Sequence, residues 1–165
     1  MDAREIKLGD LTADRLRASL SGVRLTRGPS SASQPPVRAR SGQITAEVAA
    51  DDLERFLRTR DVRNPVVKID PSGVAASGQA RAGAVEVETH VRGQFDVSSS
   101  RDLRFRVTSL QVSGIEVPPA VAGTIVAAVQ PVISLQGLPF PLAIDRVSTT
   151  KGRIIIQARV AETPP

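Results

Sequence analysis

The sequence predicts a strand-rich α+β fold, in which a long antiparallel sheet packs against an apolar helix. Apolar and polar residues alternate with a period of two over several long stretches, as in strands with one buried and one wet face. A separate run of 28 residues, 117–144, contains no Asp, Glu, Lys or Arg. The chain has 165 residues, a length that fits one domain spanning 1–165 with a self-sufficient core.

The clearest alternation covers residues 84–97. Val85, Val87, Val91, Phe95 and Val97 share one parity, and charged or polar residues occupy the other. Such a strand belongs in an antiparallel sheet, since parallel strands are usually buried on both faces. Residues 98–102 read as a turn, and 101–114 should return as the second strand of a long hairpin. The apolar phase of that second strand slips near Thr108 and Ser109, which predicts a β-bulge there.

Weaker alternation predicts further strands, at residues 15–26, 36–49, 66–70, 73–80, 142–149 and 153–160. Pro71–Ser72 and Thr150–Gly152 are turn sequences between pairs of these strands. Residues 28–36, with the sequence GPSSASQPP, predict a loop.

Two helices are predicted. Asp51 should N-cap the first, with Glu54 as its capping-box partner, and Leu53, Phe56 and Leu57 form its apolar stripe. The second should run from Pro118 to about residue 130. It is apolar on all sides, and a helix of that kind is buried on all sides. The sheet could wrap around it, or it could cover a cavity.

The uncharged run does not predict a membrane-spanning helix. Five prolines interrupt it, at positions 118, 119, 131, 139 and 141, and a proline inside a helix removes a hydrogen bond and clashes with the preceding turn. A spanning helix needs about 20 consecutive apolar residues, whereas the longest proline-free stretch is 120–130. The apolar segment must therefore be buried by the chain's own sheet, by a partner or by a lipid.

The charge pattern argues against a nucleic-acid partner. The net charge is +5, and all basic residues except Lys7, Lys68 and Lys151 are arginines. These arginines alternate with acids instead of forming one basic block. Base-stacking platforms need exposed aromatic rings, and the chain has four Phe, no Trp and no Tyr.

The sequence predicts no enzyme, no metal and no cofactor. His90 is the only histidine and lies on the polar parity of its strand, and there is no cysteine. A transition-metal site therefore lacks ligands. No nucleophile elbow, dinucleotide fingerprint or phosphate loop occurs.

What remains is apolar surface, with two interpretations. A groove for an acyl chain needs only a continuous apolar lining, since each buried CH₂ contributes about 0.8 kcal/mol. On this interpretation the protein binds a phospholipid or another acyl-chain lipid. On the alternative, it is a structural or partner-binding protein whose segment 117–144 is fully packed in a core or in a subunit interface. A homo-oligomer is compatible with both.

Three parts of the chain resemble the LmeA-like phospholipid-binding family, formerly a bacterial domain of unknown function. They are ITAEVAADDLERFL at 44–57, the long hairpin, and the run 117–160, which contains Leu138, Pro139 and Phe140. Pro141 departs from the small residue expected there. The resemblance covers roughly 36–160. It implies an elongated sheet curled around a helix, similar to tubular lipid-binding domains, and binding of phospholipids in the bacterial cell envelope.

The resemblance and the apolar pattern together give candidate site residues. The expected lipid-binding residues of the C-terminal half are Val121, Ile125, Val129, Ile133, Leu138 and Phe140. Those on the facing sheet are Val87, Val91, Phe95, Phe105 and Val107. Arg55 and Arg58 are the candidates for contact with a lipid phosphate. The expected partner is a phospholipid or a membrane surface, at the cell envelope or a peripheral membrane. The chain as given opens without a signal peptide, which also leaves a cytoplasmic location open.

Overall fold

The structure of the protein is a computed structural model. It describes residues 2–25, 37–38, 40–127, 133–136 and 142–160. It has the strand-rich α+β architecture that the sequence predicts. In chain order the elements are β1 (Asp2–Leu8), β2 (Leu11–Ser21), β3 (Arg24–Leu25), β4 (Val37–Arg38), β5 (Ser41–Ala49), α1 (Ala50–Thr59), β6 (Arg63–Asp70), β7 (Gly73–Ala82), β8 (Val85–Val97), β9 (Asp102–Val112), β10 (Ile115–Glu116), α2 (Pro119–Ala127), β11 (Ile133–Ser134), β12 (Leu142–Thr150) and β13 (Arg153–Val160).

The first sheet is antiparallel and has the strand order β1-β2-β5-β13-β12. Strand β13 illustrates why this sheet forms. Its buried residues alternate with more exposed ones, and they are Ile154, Ile156, Ala158 and Val160. Strand β1 was not predicted, because its charged residues fall on both parities and leave a weak period-two signal. The predicted loop 28–36 lies outside the described residues.

The second sheet has the order β10-β9-β8-β7-β6, with β11 also pairing with β9. The predicted long hairpin is confirmed as β8 and β9, with Phe95 opposite Phe105. Arg92 pairs with Ser109 and Gly93 with Val107. Thr108 is therefore the extra residue, and the predicted β-bulge is confirmed.

The two sheets meet where β12 lies across one end of the second sheet. The Ile144 N–H donates to the Ser100 carbonyl at 2.6 Å, in the β8–β9 turn. The Gly152 N–H, in the β12–β13 turn, donates to the Ile69 carbonyl of β6 at 2.8 Å. We call this end, bounded by the turns 71–72 and 98–101, the closed end. The opposite end carries the turns 83–84 and 113–114, and we call it the open end.

Helix α1 packs against β6 and also contacts β2 and β5, burying Leu53 and Phe56 as predicted. The predicted cap is wrong. Ala49 is the N-cap residue, and its N–H donates to the Asp52 carboxylate at 3.0 Å. Glu54 instead accepts a hydrogen bond from the Val67 N–H at 3.0 Å. That amide lies on the outer edge of β6, where backbone groups lack a strand partner.

Helix α2 lies against β9. Ala122 is buried, but Val121 is 49% exposed. The expectation that this helix is buried on every side is therefore wrong at Val121, because Val121 does not lie under β9, the described strand against which α2 packs. Wrapping of the sheet around the helix stays a prediction. No helix within the described ranges is both long and apolar enough to cross a bilayer.

We predict that Gly152→Ala destabilises the protein by about 1–2 kcal/mol, because its φ of +79° is unfavourable for a residue with a Cβ. Gly152→Asn should lose less, since asparagine tolerates positive φ better. Urea unfolding of both variants measures the difference. Equal stability of the parent and Gly152→Ala would contradict this account of the turn.

Candidate functional site

The pairing register places aliphatic residues of four strands on one face of the second sheet, because directly opposite residues of antiparallel strands point the same way. We call it the inner face. One row across it consists of Val67, Ala76, Val91 and Leu110, and the next of Ile69, Val74, Gly93 and Val107. The other face of the sheet is polar and carries Lys68, His90, Arg92 and Arg106.

Burial on the inner face is highest at Phe95 and Phe105 and falls from there along β8 toward the open end, while Val97 at the closed end is 44% exposed. Along β8, Phe95 and Gly93 are buried, Val91 and Val87 are half-buried, and Val85 is 62% exposed. Half-burial recurs on β7 at Ala76 and Ala80, and on β9 at Val107 and Val112, which flank the buried Leu110. We call the half-buried inner-face residues the apolar strip: Ala76, Ala80, Val87, Val91, Val107 and Val112.

The two helices lie along the borders of the strip. Helix α1 packs on β6 and α2 packs on β9, so β7 and β8 run between them. A cleft of about 250 Å³ opens between β9, β10 and the start of α2, where Val107, Leu110, Val117 and Ala122 line it. Drug-sized ligands usually occupy about 300–1,000 Å³. This cleft therefore holds part of a lipid at most.

A second cavity, of about 770 Å³, has a different character. It lies on the first sheet and is lined by hydroxyl, amide and guanidinium groups, including Ser19, Ser41, Gln43, Arg40 and Arg159. None of the predicted site residues lines it. Its chemistry suits a polar or anionic group rather than an acyl chain.

A tilted pair of aromatic rings marks the end of the strip nearest the closed end. The centroids of Phe95 and Phe105 are 5.1 Å apart, with the ring planes tilted by 54°, a favourable aromatic arrangement. Gly93 makes room for this pair. A Cβ atom at Gly93 would lie 2.6 Å from Cζ of Phe105 and 2.3 Å from the Arg106 carbonyl oxygen.

The described residues with shifted carboxyl pKa values lie away from the strip. The Ser134 and Ser99 hydroxyls lower the pKa of Asp102 by donating hydrogen bonds to its carboxylate. The Ser72 hydroxyl and backbone N–H lower the pKa of Asp70 in the same way. Both carboxylates stand at turns of the closed end. Across the described ranges there is also no group of three or more His, Cys, Asp or Glu residues that could hold a metal.

A comparison with known protein families shows to which family the chain belongs. The family model described as LmeA-like phospholipid-binding matches residues 1–159. The chain belongs to the LmeA-like phospholipid-binding family. Searches of curated proteins and of solved structures found no match. Membership supports lipid binding in general, and the geometry above shows where the apolar surface of this family member lies.

The five site residues predicted on the facing sheet share the inner face. Phe95 and Phe105 are buried, whereas Val87, Val91 and Val107 belong to the half-buried strip. Contact of these residues with lipid stays a prediction. The sequence analysis missed Ala76, Ala80 and Val112, although the parity of Val112 relative to the bulge at Thr108 places it on the same face.

Only some of the lipid-binding residues predicted in the C-terminal half lie within the described residues. Ile133 is fully buried and pairs with Leu103 of β9, which favours a packing role, and Val121 is exposed on α2. Val129, Leu138, Phe140 and the side chain of Ile125 lie outside the described residues. Their part in lipid binding stays a prediction.

The two arginines predicted to meet a lipid phosphate lie on the exposed side of α1. Arg55 Nη1 is 3.0 Å from the Asp52 carboxylate, and Arg58 Nη2 is 3.7 Å from that of Glu54. Both guanidinium groups are exposed, but the Asp52 side chain is only 6% exposed and that of Glu54 22%. Removing the partner of a buried carboxylate is costly, so a phosphate would have to bind these arginines beside the carboxylates. The headgroup role stays a prediction.

We predict that Gly93→Ala destabilises the protein by roughly 1–3 kcal/mol, the usual range for overpacking, because its Cβ would collide with Phe105 and the Arg106 carbonyl. Thermal unfolding measures the loss. Combining it with Phe105→Leu, which removes the Cζ atom, should show a favourable coupling in a double-mutant cycle. Strict additivity would mean that the ring contact does not matter.

Proposed function

We propose that this protein binds phospholipid without catalysing a reaction, and that one acyl chain lies along the apolar strip. The observation that carries the proposal is the half-buried strip itself, which runs from the Phe95–Phe105 pair to the open end. Residues of this kind in a family that binds phospholipids supply the lining that an acyl chain requires.

The dimensions of the strip suit one acyl chain. From Gly93, beside the Phe95–Phe105 pair, to Val87, β8 advances about 20 Å at roughly 3.3 Å per residue. One leaflet contributes about half of the 30 Å hydrocarbon core of a bilayer, so an acyl chain of about 15 Å fits on this length. Each CH₂ removed from water contributes about 0.8 kcal/mol, less the cost of ordering the lipid.

Other parts of the molecule would also contribute to lipid binding. Both sheets and both helices contribute to one cluster of buried residues, which supports treating 1–165 as a single unit. Arg55 and Arg58 would face the headgroup from α1, the helix beside the strip. The remaining lipid contacts would come from Val121, Ile125, Val129, Leu138 and Phe140. Family membership supports association with lipid, and a peripheral membrane location at the bacterial cell envelope is part of the proposal.

A structural or partner-binding role is the second candidate. Within segment 117–144, Ile133, Leu135 and Leu142 are almost fully buried, so this part of the segment packs in the protein's own core. The exposed Val121 leaves apolar surface on α2 for a second copy of the chain. On this view the strip would be covered by a subunit instead of a lipid.

Lipid capture tests the first candidate directly. The protein is incubated with vesicles of phosphatidylcholine and phosphatidylglycerol, re-isolated, and measured by native mass spectrometry and by lipid extraction. We expect one phospholipid mass added per chain. A clean unliganded mass together with a dimer would favour the second candidate.

We predict that Val91→Phe weakens lipid capture about tenfold and leaves the stability within about 0.5 kcal/mol. The phenyl ring would displace roughly two methylenes of the lipid, at about 0.8 kcal/mol each. His90→Phe is the matched control, because it puts the same ring next to Val91 on the polar face of β8, and its capture should equal that of the parent. If Val91→Phe instead loses 1–3 kcal/mol of stability, Val91 fills a packed core.

A further inference from the structure

Two tight turns at the open end each present an exposed aliphatic side chain. The β7–β8 turn contains Gly83, with φ of +67°, and Val85 follows it. The β9–β10 turn is Ser113–Gly114, with both φ values positive, and Ile115 follows directly. Two-residue turns of this kind match the twist of their strands and hold the hairpins firmly. Val85 is 62% and Ile115 is 73% exposed.

Both side chains belong to the inner face and extend the apolar strip. Val85 has the same parity on β8 as Val87 and Val91. Ile115 pairs with Val112, which in turn pairs with Thr89 of β8. An aliphatic surface therefore continues from the half-buried strip to the two turns, without a charged side chain of the inner face between them.

The charges around these turns nearly cancel. Arg63 Nη1 lies 2.7 Å from the Glu86 carboxylate, and Arg81 pairs with Glu86 across the β7–β8 hairpin. Glu88 and Glu116 lie beside the Ile115 turn, where Glu88 contacts His90 at 3.1 Å. Any binding at this end must therefore be driven by apolar burial rather than by net charge, and it should respond only weakly to salt.

The small size of the exposed surface distinguishes between two occupants. A specific interface between two protein chains buries at least about 1,200 Å² in total, which two aliphatic side chains on separate turns do not supply. A bilayer needs no complementary shape, and it accepts protruding apolar groups into the boundary between headgroups and tails. The bilayer is thus the better match.

We propose that the open end docks onto a phospholipid bilayer, with Val85 and Ile115 inserted among the lipid tails. The inference rests on the proposed lipid-binding function and adds the route of entry. With the open end in the bilayer, an acyl chain passes from its leaflet onto the strip along a continuous aliphatic path. The chain then avoids crossing water, where each exposed CH₂ is unfavourable.

The test compares the parent with Val85→Ser/Ile115→Ser in flotation with phosphatidylcholine vesicles. We expect the partition coefficient to fall at least tenfold, because two largely exposed aliphatic side chains are lost from the docking end. Val97→Ser is the matched control. Val97 lies on the same strand and face and is 44% exposed, but it stands at the closed end, so vesicle binding should stay unchanged.

Three vesicle-binding results would each overturn the docking inference: equal binding by the parent and the double variant, equal weakening by Val97→Ser, or a steep loss of parent binding as salt is raised. A dimer of the parent that the double variant abolishes would also overturn it, in favour of a second copy as occupant.

A separate measurement keeps this inference apart from the proposed function. Monomeric short-chain phosphatidylcholine reaches the strip without a bilayer, so native mass spectrometry should show it bound to the parent and to both variants alike. If the parent binds vesicles but does not capture this lipid, the strip is not a binding site, whereas the docking inference is retained. If only the double variant fails to capture the lipid, Val85 and Ile115 line the lipid site and do not serve as the membrane-docking surface.

Discussion

The peptide group of Gly152 joins three elements that are far apart in the sequence. Its N–H donates to the Ile69 carbonyl at the end of β6, and its carbonyl accepts the Ala50 N–H at the start of α1 at 3.2 Å. Buried backbone groups must find partners, and β6 is an edge strand among the strands that the structure describes. The Gly152 turn and Glu54 of α1 satisfy Ile69 and Val67 there. Helix α1 is thereby held along β6, where it forms one border of the apolar strip.

A second set of hydrogen bonds between the sheets also lies at the closed end, at the β8–β9 turn. The Ser100 and Arg101 carbonyls accept the N–H groups of Ile144 and Leu135. The Asp102 carboxylate adds bonds from the Ser99 hydroxyl at 2.8 Å and the Gln136 amide at 3.1 Å. These contacts bring β11 and β12 against the β8–β9 turn. The closed end is thus held by hydrogen bonds between the sheets, and the open end presents the exposed aliphatic side chains Val85 and Ile115.

The elements that local sequence determines were predicted well. Alternation places the β8–β9 hairpin, and one slip of phase places its bulge at Thr108, since both are properties of neighbouring residues. The cap of α1 was wrong because Glu54 binds an amide 13 positions along the chain, and spacing within a helix carries no information about such a partner. Parity assigned Val87 and Val91 to the inner face, yet it could not give their burial, which depends on where α1 and α2 lie. For the same reason Val85 has the pattern of a core residue and stands exposed.

The side-chain sizes on β7 explain why the strip is only half-buried. Its inner-face positions opposite Val91, Thr89 and Val87 are Ala76, Gly78 and Ala80. The space left by the absent side chain of Gly78 is occupied by Val62, in the segment that follows α1. A Cβ atom at Gly78 would lie 2.6 Å from Val62 Cγ1. At Ala76 and Ala80 a packed core would favour larger aliphatic residues, since interiors fill to the density of organic crystals. Small residues on β7 beside the valines of β8 leave the strip half-buried. Aliphatic surface left in water forgoes about 25 cal/mol per Å², and the proposed acyl chain would recover that stabilisation. The half-burial of the strip thus follows from the side-chain sizes on β7.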